Sequence, residues 1–133
     1  ILKIKQKDVK FHGHAIECRI NAEDPDDNFK PKPGKILKFK TPKNMDDVIR
    51  IDTFIEEGFV ISPFYDSMIC KLIAFGDSDN RAKAIENAKK ALKNFIIEGV
   101  PTTVPLHLKI LENESFKSGN YNTGILKNIQ AWR

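Results

Sequence analysis

The sequence contains only two cysteines, Cys18 and Cys70, which lie far apart and form neither a CxxC pair nor a metal-ligand spacing. A disulfide framework is therefore not indicated, and both thiols are expected to be buried and reduced, as in cytoplasmic proteins. No apolar run approaches the roughly 20 residues that a helix needs to span a bilayer. We therefore predict a cytoplasmic protein that has no membrane partner.

Several motifs that carry chemistry are also missing. There is no GxGxxG, GxxxxGK[ST] or GxSxG pattern, so no glycine-rich loop is available to cradle a phosphate. His12 and His14 share a predicted strand face, but no third ligand follows at a suitable spacing, so no metal site is predicted. The 22 lysines and arginines against 18 acidic residues give a net charge of +4. These cations are scattered and not interleaved with aromatics, so no nucleic-acid partner is predicted.

Alternation of side chains predicts a strand over residues 10–21. Glu17 and Arg19 fall on one face of that strand, because successive side chains point to opposite faces. The apolar residues of the segment fall on the other face, which we take as the core side: Ile16, Cys18 and Ile20.

The remaining pattern predicts strands first and helices afterwards. Turn-forming residues fill 22–34, and the further predicted strands cover 35–40, 48–55, 59–61 and 67–75. Helical spacing then predicts one helix over 80–98, ended by Gly99, and a second from Thr102 or Thr103 to Leu111. From Asn122 on, a short helix or an irregular tail is expected. This order predicts an α+β fold, in which a barrel-sandwich-like antiparallel β-sheet is followed by a C-terminal helical hairpin.

The N-terminus begins Ile1-Leu2-Lys3, without methionine or a signal-peptide pattern. We therefore interpret the chain as a piece of a longer protein. Residues 1–9 are predicted to be a linker from a preceding region, and residues 10–133 to be one domain.

Four segments resemble the C-terminal domain of biotin carboxylases. The first is Gly13-His14-Ala15-Ile16-Glu17-Cys18-Arg19-Ile20-Asn21-Ala22-Glu23-Asp24-Pro25, and Pro33-Gly34-Lys35-Ile36 follows at the family's spacing. The others are Pro63-Phe64-Tyr65-Asp66-Ser67-Met68-Ile69-Cys70-Lys71-Leu72 and Ile96-Ile97-Glu98-Gly99-Val100-Pro101-Thr102-Thr103. Thr103 stands where the family more often has asparagine. The resemblance covers essentially the whole chain, with all four segments in the family's order.

The resemblance implies an activity for the parent enzyme. Biotin carboxylases carboxylate biotin held on a biotin carboxyl carrier protein, using ATP, magnesium and bicarbonate. The module occurs in acetyl-CoA carboxylase of fatty acid biosynthesis, and in propionyl-CoA and pyruvate carboxylases. The implied partners are N-terminal and ATP-grasp domains of the same chain, the carrier protein, a carboxyltransferase and a second copy in a homodimer. This domain alone is expected to be inactive, because the ATP and magnesium motifs are absent from it.

The same resemblance implies roles for four residues, and a fifth, Glu17, is a candidate only because it lies beside Arg19 on the same strand face. Arg19 matches the arginine that faces the ureido group of biotin, where a fixed guanidinium stabilises an oxygen that gains negative charge. Glu17 would orient Arg19. Arg50 matches a residue of the dimer interface, although the loop before it, residues 43–47, differs from the family's. Asp66 matches an aspartate that ties this domain to the N-terminal domain, and Thr123 lies near the family's adenine contact.

Two other interpretations stay open at the level of sequence. In one, the domain is a non-catalytic dimerisation or interaction module, and Arg19 only pairs with Glu17 or another acid on a sheet face. In the other, the domain is a small basic nucleic-acid binder, which predicts steeply salt-dependent binding.

Overall fold

A three-stranded antiparallel sheet forms the centre of the chain in a computed structural model that describes residues 2–77 and 81–129. Its strand order is β1-β8-β6, where β1 is His14–Asn21, β8 is Met68–Gly76 and β6 is Ile49–Thr53. Three antiparallel pairs of short strands surround this sheet, namely β2 with β3, β4 with β7, and β5 with β9. The observed architecture is therefore α+β with antiparallel pairing, as predicted.

The remaining elements follow one another closely along the chain. The short strands are β2 Glu23–Asp24, β3 Lys30–Pro31, β4 Gly34–Lys35, β5 Lys38–Lys40, β7 Val60–Ile61 and β9 Ile96–Glu98. The helices are α1 Ala82–Asn94, α2 Val104–Glu112, α3 Glu114–Ser118 and α4 Ile125–Asn128, with 3-10 turns at Gln6–Asp8 and Pro25–Asp27. Among the described residues, no helix has the length and apolarity that crossing a bilayer requires.

One face of the central sheet is buried, and the other, the polar face, carries charged residues beside half-buried apolar ones such as Ile73. Ile16, Cys18 and Ile20 of β1 are buried, and so are Cys70, Leu72 and Ala74 of β8. The residues between them in β1 alternate to the opposite, exposed face, which confirms the predicted alternation. The segment before β1 is exposed throughout residues 2–9, and its assignment as a linker stays a prediction.

Helix α1 covers the buried face of the sheet. Its buried residues recur at helical spacing and pack into the core cluster: Ala84, Ile85, Ala88, Ala91 and Leu92. Asn87 is also buried, and its side-chain amide donates a hydrogen bond of 2.7 Å to the carbonyl of Phe75. Because this bond satisfies a buried donor, the polar residue fits the apolar interface.

The predicted helix over residues 80–98 is too long. Helix α1 ends at Asn94, Phe95 is extended, and Ile96–Glu98 forms β9 against β5. The β-branched pair Ile96 and Ile97 favours a strand, and Lys38 and Glu98 form an ion pair of 2.9 Å across it. Gly99 therefore follows a strand and does not cap the helix. The predicted start at Asn80 lies outside the described residues.

Other boundaries also differ from the sequence prediction. Residues 22–34 are not turn throughout, since β2 and β3 form a short pair there. The predicted strand over 35–40 is split between β4 and β5, and α3 was not predicted. Helix α2 begins after Thr103 with Pro105 in its first turn, as expected. Closure of the sheets into a barrel-sandwich and the C-terminal helical hairpin stay predictions.

The two thiols are unreactive by virtue of their surroundings. Desolvation, helped by the charge of Glu17, raises the pKa of Cys18 from 9.0 to about 12. Desolvation, helped by the neighbouring Cys18, likewise raises the pKa of Cys70 from 9.0 to about 12. Neither cysteine forms a disulfide.

We therefore expect neither cysteine to be alkylated by iodoacetamide in the folded chain at pH 8. A rise of this size lowers the thiolate fraction about a thousandfold, and the thiolate is the nucleophile. Mass spectrometry over time should show two added groups in urea and almost none without it. Rapid native labelling of either thiol would contradict this environment.

Candidate functional site

Arg19 lies on the exposed face of the central sheet, near the C-terminal end of β1. In the antiparallel register it is opposite Lys71 of β8, and Lys71 is in turn opposite Asp52 of β6. These three charged residues form one row across the sheet. A second row on the same face joins Glu17, Ile73 and Arg50.

Asp52 is an acidic residue of this face, and its carboxylate already interacts with two cations. Arg50 donates two hydrogen bonds to it, from Nε to Oδ1 at 2.8 Å and from Nη2 to Oδ2 at 3.0 Å. The Nζ of Lys71 is 3.8 Å from Asp52 Oδ2. The hydrogen bond from Arg50 is the main cause that lowers the pKa of Asp52, so this carboxylate stays charged.

The guanidinium of Arg19 makes no hydrogen bond or ion pair within residues 2–77 and 81–129, although its backbone carbonyl is bonded. Glu17 is on the same face, two residues away, but is opposite Ile73 in the register. No bond between Glu17 and Arg19 is present in this part of the chain. The interpretation in which Arg19 is locked to Glu17 therefore receives no support from the geometry.

The backbone at Arg19 is held from the outer side of β1. The carbonyl of Arg19 accepts hydrogen bonds from Thr103 Oγ1 at 3.2 Å and from His107 Nε2 at 2.8 Å. Because a carbonyl only accepts, the tautomer of His107 here must carry its proton on Nε2. Two further bonds join Asn21 to Thr103, from Asn21 N to Thr103 Oγ1 at 3.0 Å and from Thr103 N to Asn21 O at 3.1 Å.

Burial of His107 gives the chain a pH-sensitive group. Desolvation lowers the pKa of His107 below 6.5, and its bond to the Arg19 carbonyl opposes this shift only partly. As pH falls through the range just below 6.5, the unfolded chain takes up a proton before the folded chain does. The folded state should therefore lose stability there.

We expect His107→Gln to weaken this loss of stability on acidification from pH 7 to pH 5. Glutamine retains an N–H donor and does not titrate. Urea unfolding at several pH values should show a shallower fall in the free energy of unfolding for the variant. The comparison isolates His107, since the variant differs from the natural chain at that position alone. An identical pH dependence in the two proteins would contradict the assignment.

Asp66 lies in the turn that leads into β8. Its Oδ1 accepts a hydrogen bond of 2.8 Å from Met68 N, which caps the turn. The carboxylate is exposed, and so are Phe64 and Tyr65 just before it. Beside this turn lies an open apolar cavity of about 460 Å³, lined by Phe54, Ile55, Phe59, Ile61, Ser62, Tyr65, Asp66 and Met68.

Thr123 is exposed and lies between α3 and α4. The preceding Asn122 accepts a hydrogen bond of 2.8 Å from Gly124 N through its Oδ1. Glu17, Arg19 and Arg50 thus share one sheet face. Within the described ranges, no hydrogen bond or ion pair links Asp66 or Thr123 to Arg19.

Two residues with a part in the site were not identified from the sequence. Thr103 stands out in the sequence only for its departure from the family's asparagine, and no motif of the sequence singles out His107. Both reach a carbonyl more than 80 positions away, with separations of 84 and 88 residues. Nothing local to residues 102–111 signals that contact. Across the described ranges, no group of three or more His, Cys, Asp or Glu side chains could hold a metal ion.

Comparison with known proteins gives a consistent result. The family model described as "Biotin carboxylase C-terminal domain" matches residues 17–128. Biotin carboxylase 1 of Bacillus subtilis is 49% identical over 126 residues, which is 95% of this chain and 27% of that protein. The biotin carboxylase subunit of a pyruvate carboxylase superposes with a TM-score of 0.89 at 43% identity, covering 96% of this chain and 27% of that one.

A third similar protein was solved with ligands. It is the biotin carboxylase domain dimer of Hydrogenobacter thermophilus 2-oxoglutarate carboxylase, in complex with MgADP, ADP and bicarbonate. Its TM-score is 0.89 at 37% identity, over 96% of this chain and 27% of that one. The present chain thus spans only about a quarter of the length of the relatives it matches. The matched model and the shared fold show that this chain belongs to the biotin carboxylase C-terminal domain family.

Proposed function

We propose that this domain supplies Arg19 to the active site of an ATP-dependent biotin carboxylase, where its guanidinium faces the ureido group of carrier-bound biotin. The observation that carries the proposal is an exposed arginine whose backbone carbonyl accepts two hydrogen bonds, while its guanidinium has no hydrogen bond or ion pair within residues 2–77 and 81–129. The N-terminal and ATP-grasp parts of the parent chain would bind the other reactants. The domain alone is then inactive, and the parent is the enzyme.

The charges around Arg19 support this role. An exposed surface arginine usually finds a nearby acid, but Asp52 is already engaged by Arg50 and Lys71. All five donors of the Arg19 guanidinium therefore remain available for a ligand or a neighbouring domain. The polar face carries three cations and two anions, namely Arg19, Lys71 and Arg50 against Glu17 and Asp52. Such a face favours a substrate atom that becomes negative.

Biotin fits this arrangement chemically, because its ureido carbonyl is a planar acceptor. Bound biotin supplies the ureido nitrogen that takes up the carboxyl group. The guanidinium of Arg19 would donate hydrogen bonds to the ureido oxygen and stabilise the negative charge that this oxygen gains. Preorganised donors act in this way without reorganising during the reaction. Arginine also stays protonated at any working pH, so it holds this charge throughout the reaction.

Glu17 is proposed as an orienting residue through its charge, since it lies on the same face without bonding Arg19. Arg50 is proposed as a contact in a homodimer interface. Its side chain is 74% exposed even though it holds Asp52, so its outer edge is available to a second copy. The Hydrogenobacter relative, solved as a dimer, supports this assignment.

The turn at Asp66 is proposed to contact the N-terminal domain of the same parent chain. Its support is an unusual exposure of aromatic side chains, with Phe64 at 87%, Tyr65 at 84% and Phe54 at 71%. Such apolar surface marks a contact region. Thr123 is proposed to lie near the bound nucleotide, with support only from its position and exposure.

The remaining reactants are assigned to the rest of the parent. ATP, magnesium and bicarbonate are proposed to bind outside this domain, whose described residues include no set of metal ligands. The carrier protein and a carboxyltransferase are proposed as further partners, and the parent is proposed to act in the cytoplasm.

A second candidate function is a non-catalytic interaction module. Exposed apolar side chains before β1 favour it, because Leu2 is 88% exposed and Phe11 is fully exposed. In that case Arg19 would have no effect on chemistry. Biotin carboxylation by the complete enzyme carrying Arg19→Ala separates the two functions, since only the first predicts a loss.

A further inference from the structure

Helix α2 begins against the outer edge of β1, at Arg19 and Asn21. In the order β1-β8-β6, strand β1 has a neighbour on one side only. Its outward backbone groups would otherwise be unpaired, and an unpaired edge is free to move or to pair elsewhere. The start of α2 takes the place of a neighbouring strand over these residues.

The threonine at the start of α2 is used in an unusual way. Thr103 occupies the N-cap position, where threonine normally accepts a bond from its own helix. Here it makes no such bond. Its hydroxyl instead donates to the Arg19 carbonyl and accepts from the Asn21 amide. The helix therefore forgoes a cap, and β1 gains two hydrogen bonds.

His107 adds a second donor to the same carbonyl, one turn further along α2. Its backbone amide donates to the Thr103 carbonyl at 3.1 Å, so the two side chains are held in a fixed relation. Four hydrogen bonds in all join Thr103 and His107 to Arg19 and Asn21. Two of them hold the carbonyl of Arg19, whose side chain is exposed and has no hydrogen bond or ion pair among the described residues.

From this geometry we infer that Thr103 and His107 are positioning residues, which fix the guanidinium of Arg19 by holding the carbonyl of the same residue. The inference rests on the proposed role of Arg19 and deepens it. A side chain without partners of its own can be aimed only through its backbone and its rotamer. Holding the carbonyl removes rotation of the adjacent peptide, which would otherwise swing the arginine away from its target.

The test uses two substitutions that remove a donor, two that keep one, and a neighbouring control. Thr103→Val removes the hydroxyl at almost constant shape, and His107→Leu removes the second donor. Thr103→Ser and His107→Gln keep donors and should restore function. Thr102→Val is the matched control, because the Thr102 hydroxyl accepts from Val104 N at 3.4 Å and has no hydrogen bond to β1 in the part of the chain that the structure describes.

Three readouts are compared, namely carboxylation kinetics, order of the Arg19 side chain and hydrogen exchange at Asn21. In the complete carboxylase, Thr103→Val with His107→Leu should lower kcat for biotin carboxylation on the order of tenfold, with KM for ATP unchanged. In this chain, NMR relaxation should show a lower order parameter for the Arg19 Nε–H group. Hydrogen exchange at the Asn21 amide should also become faster. Thr102→Val should leave all of these values at their wild-type level.

Each outcome decides the inference. The inference is overturned if the order parameter of the Arg19 side chain is the same in the double variant as in Thr102→Val. It is equally overturned if the side chain loosens and carboxylation stays normal while Arg19→Ala abolishes it. If Arg19→Ala itself leaves carboxylation normal, the proposed function is wrong, and the NMR result alone decides whether α2 holds Arg19.

Discussion

Replacing Arg19 by alanine in the complete carboxylase is expected to lower kcat for biotin carboxylation by about 100- to 1,000-fold, the range for removing one preorganised donor to a developing oxyanion. KM for ATP should change little, because the nucleotide is proposed to bind elsewhere in the parent. The measurement is steady-state carboxylation of biotin at saturating ATP and bicarbonate. An expected drop of this size is well outside the effect of an ordinary surface substitution.

The physical reason is that Arg19 is proposed to meet the substrate only where charge develops. Among the described residues, this guanidinium pairs with no carboxylate, so Arg19→Ala should leave no acidic residue without its partner. The exposed side chain contributes little to the core, and the free energy of unfolding should therefore stay nearly constant. A large loss of activity with unchanged stability would point to the chemistry.

Two variants sharpen this test. Arg19→Lys keeps the charge but loses the planar pair of donors, so we expect intermediate activity. Lys71→Gln removes the cation directly opposite Arg19 on the same face and should cost much less. If Lys71→Gln and Arg19→Ala reduced carboxylation equally, the general positive potential of the face would explain the effect. If Arg19→Ala kept normal activity, the proposed role would be wrong.

Replacing Gly99 by alanine is expected to lower the free energy of unfolding by roughly 3 kcal/mol, because strain and a steric clash add together. Gly99 has φ of +111°, which side chains rarely adopt. An added Cβ would collide with the Lys35 carbonyl oxygen and would lie 2.8 Å from Leu37 N. Leu37 N is bonded to the Glu98 carbonyl, so the contact between β5 and β9 would be disrupted.

Gly58 provides the matched control for Gly99. It also has positive φ, at +91°, but an added Cβ would meet nothing within 4 Å. Gly58→Ala should therefore cost only the backbone strain, about 1 kcal/mol. Urea unfolding of both variants measures the difference. Equal destabilisation would show that the packing of Gly99 against residues 35–37 has no energetic weight.

The central strands could be predicted from the sequence because their signal is local. Alternation over residues 14–21 fixes both the core side, at Cys18, and the outward direction of Arg19. The apolar run before Gly76 likewise predicts β8, since a strand buried on the core side needs such residues. The family resemblance of these same segments then singles out Arg19 as the outward residue that is predicted to carry chemistry.

The short strands and the contacts of α2 could not be predicted, because their signal lies in distant residues. Helical spacing continues through Phe95, so β9 is visible only from its pairing with β5. Two-residue strands such as β4 and β7 form because the two segments lie side by side in the folded chain. By local rules, the hydroxyl of Thr103 predicts a helix cap. In the folded chain it donates to the Arg19 carbonyl of β1 instead, because β1 lies beside it.

The alternation in β1 also limits which changes of chain length this domain can accept. One inserted or deleted residue near Ala15 would turn the following side chains to the opposite face. Cys18 would then leave the core, and the guanidinium of Arg19 would be forced into an apolar interior. Lys43 and Asn44 lie in an exposed loop outside any strand, so a change of length there reverses no alternation of side chains. Sequence divergence by insertion should therefore spare β1 and collect in that loop.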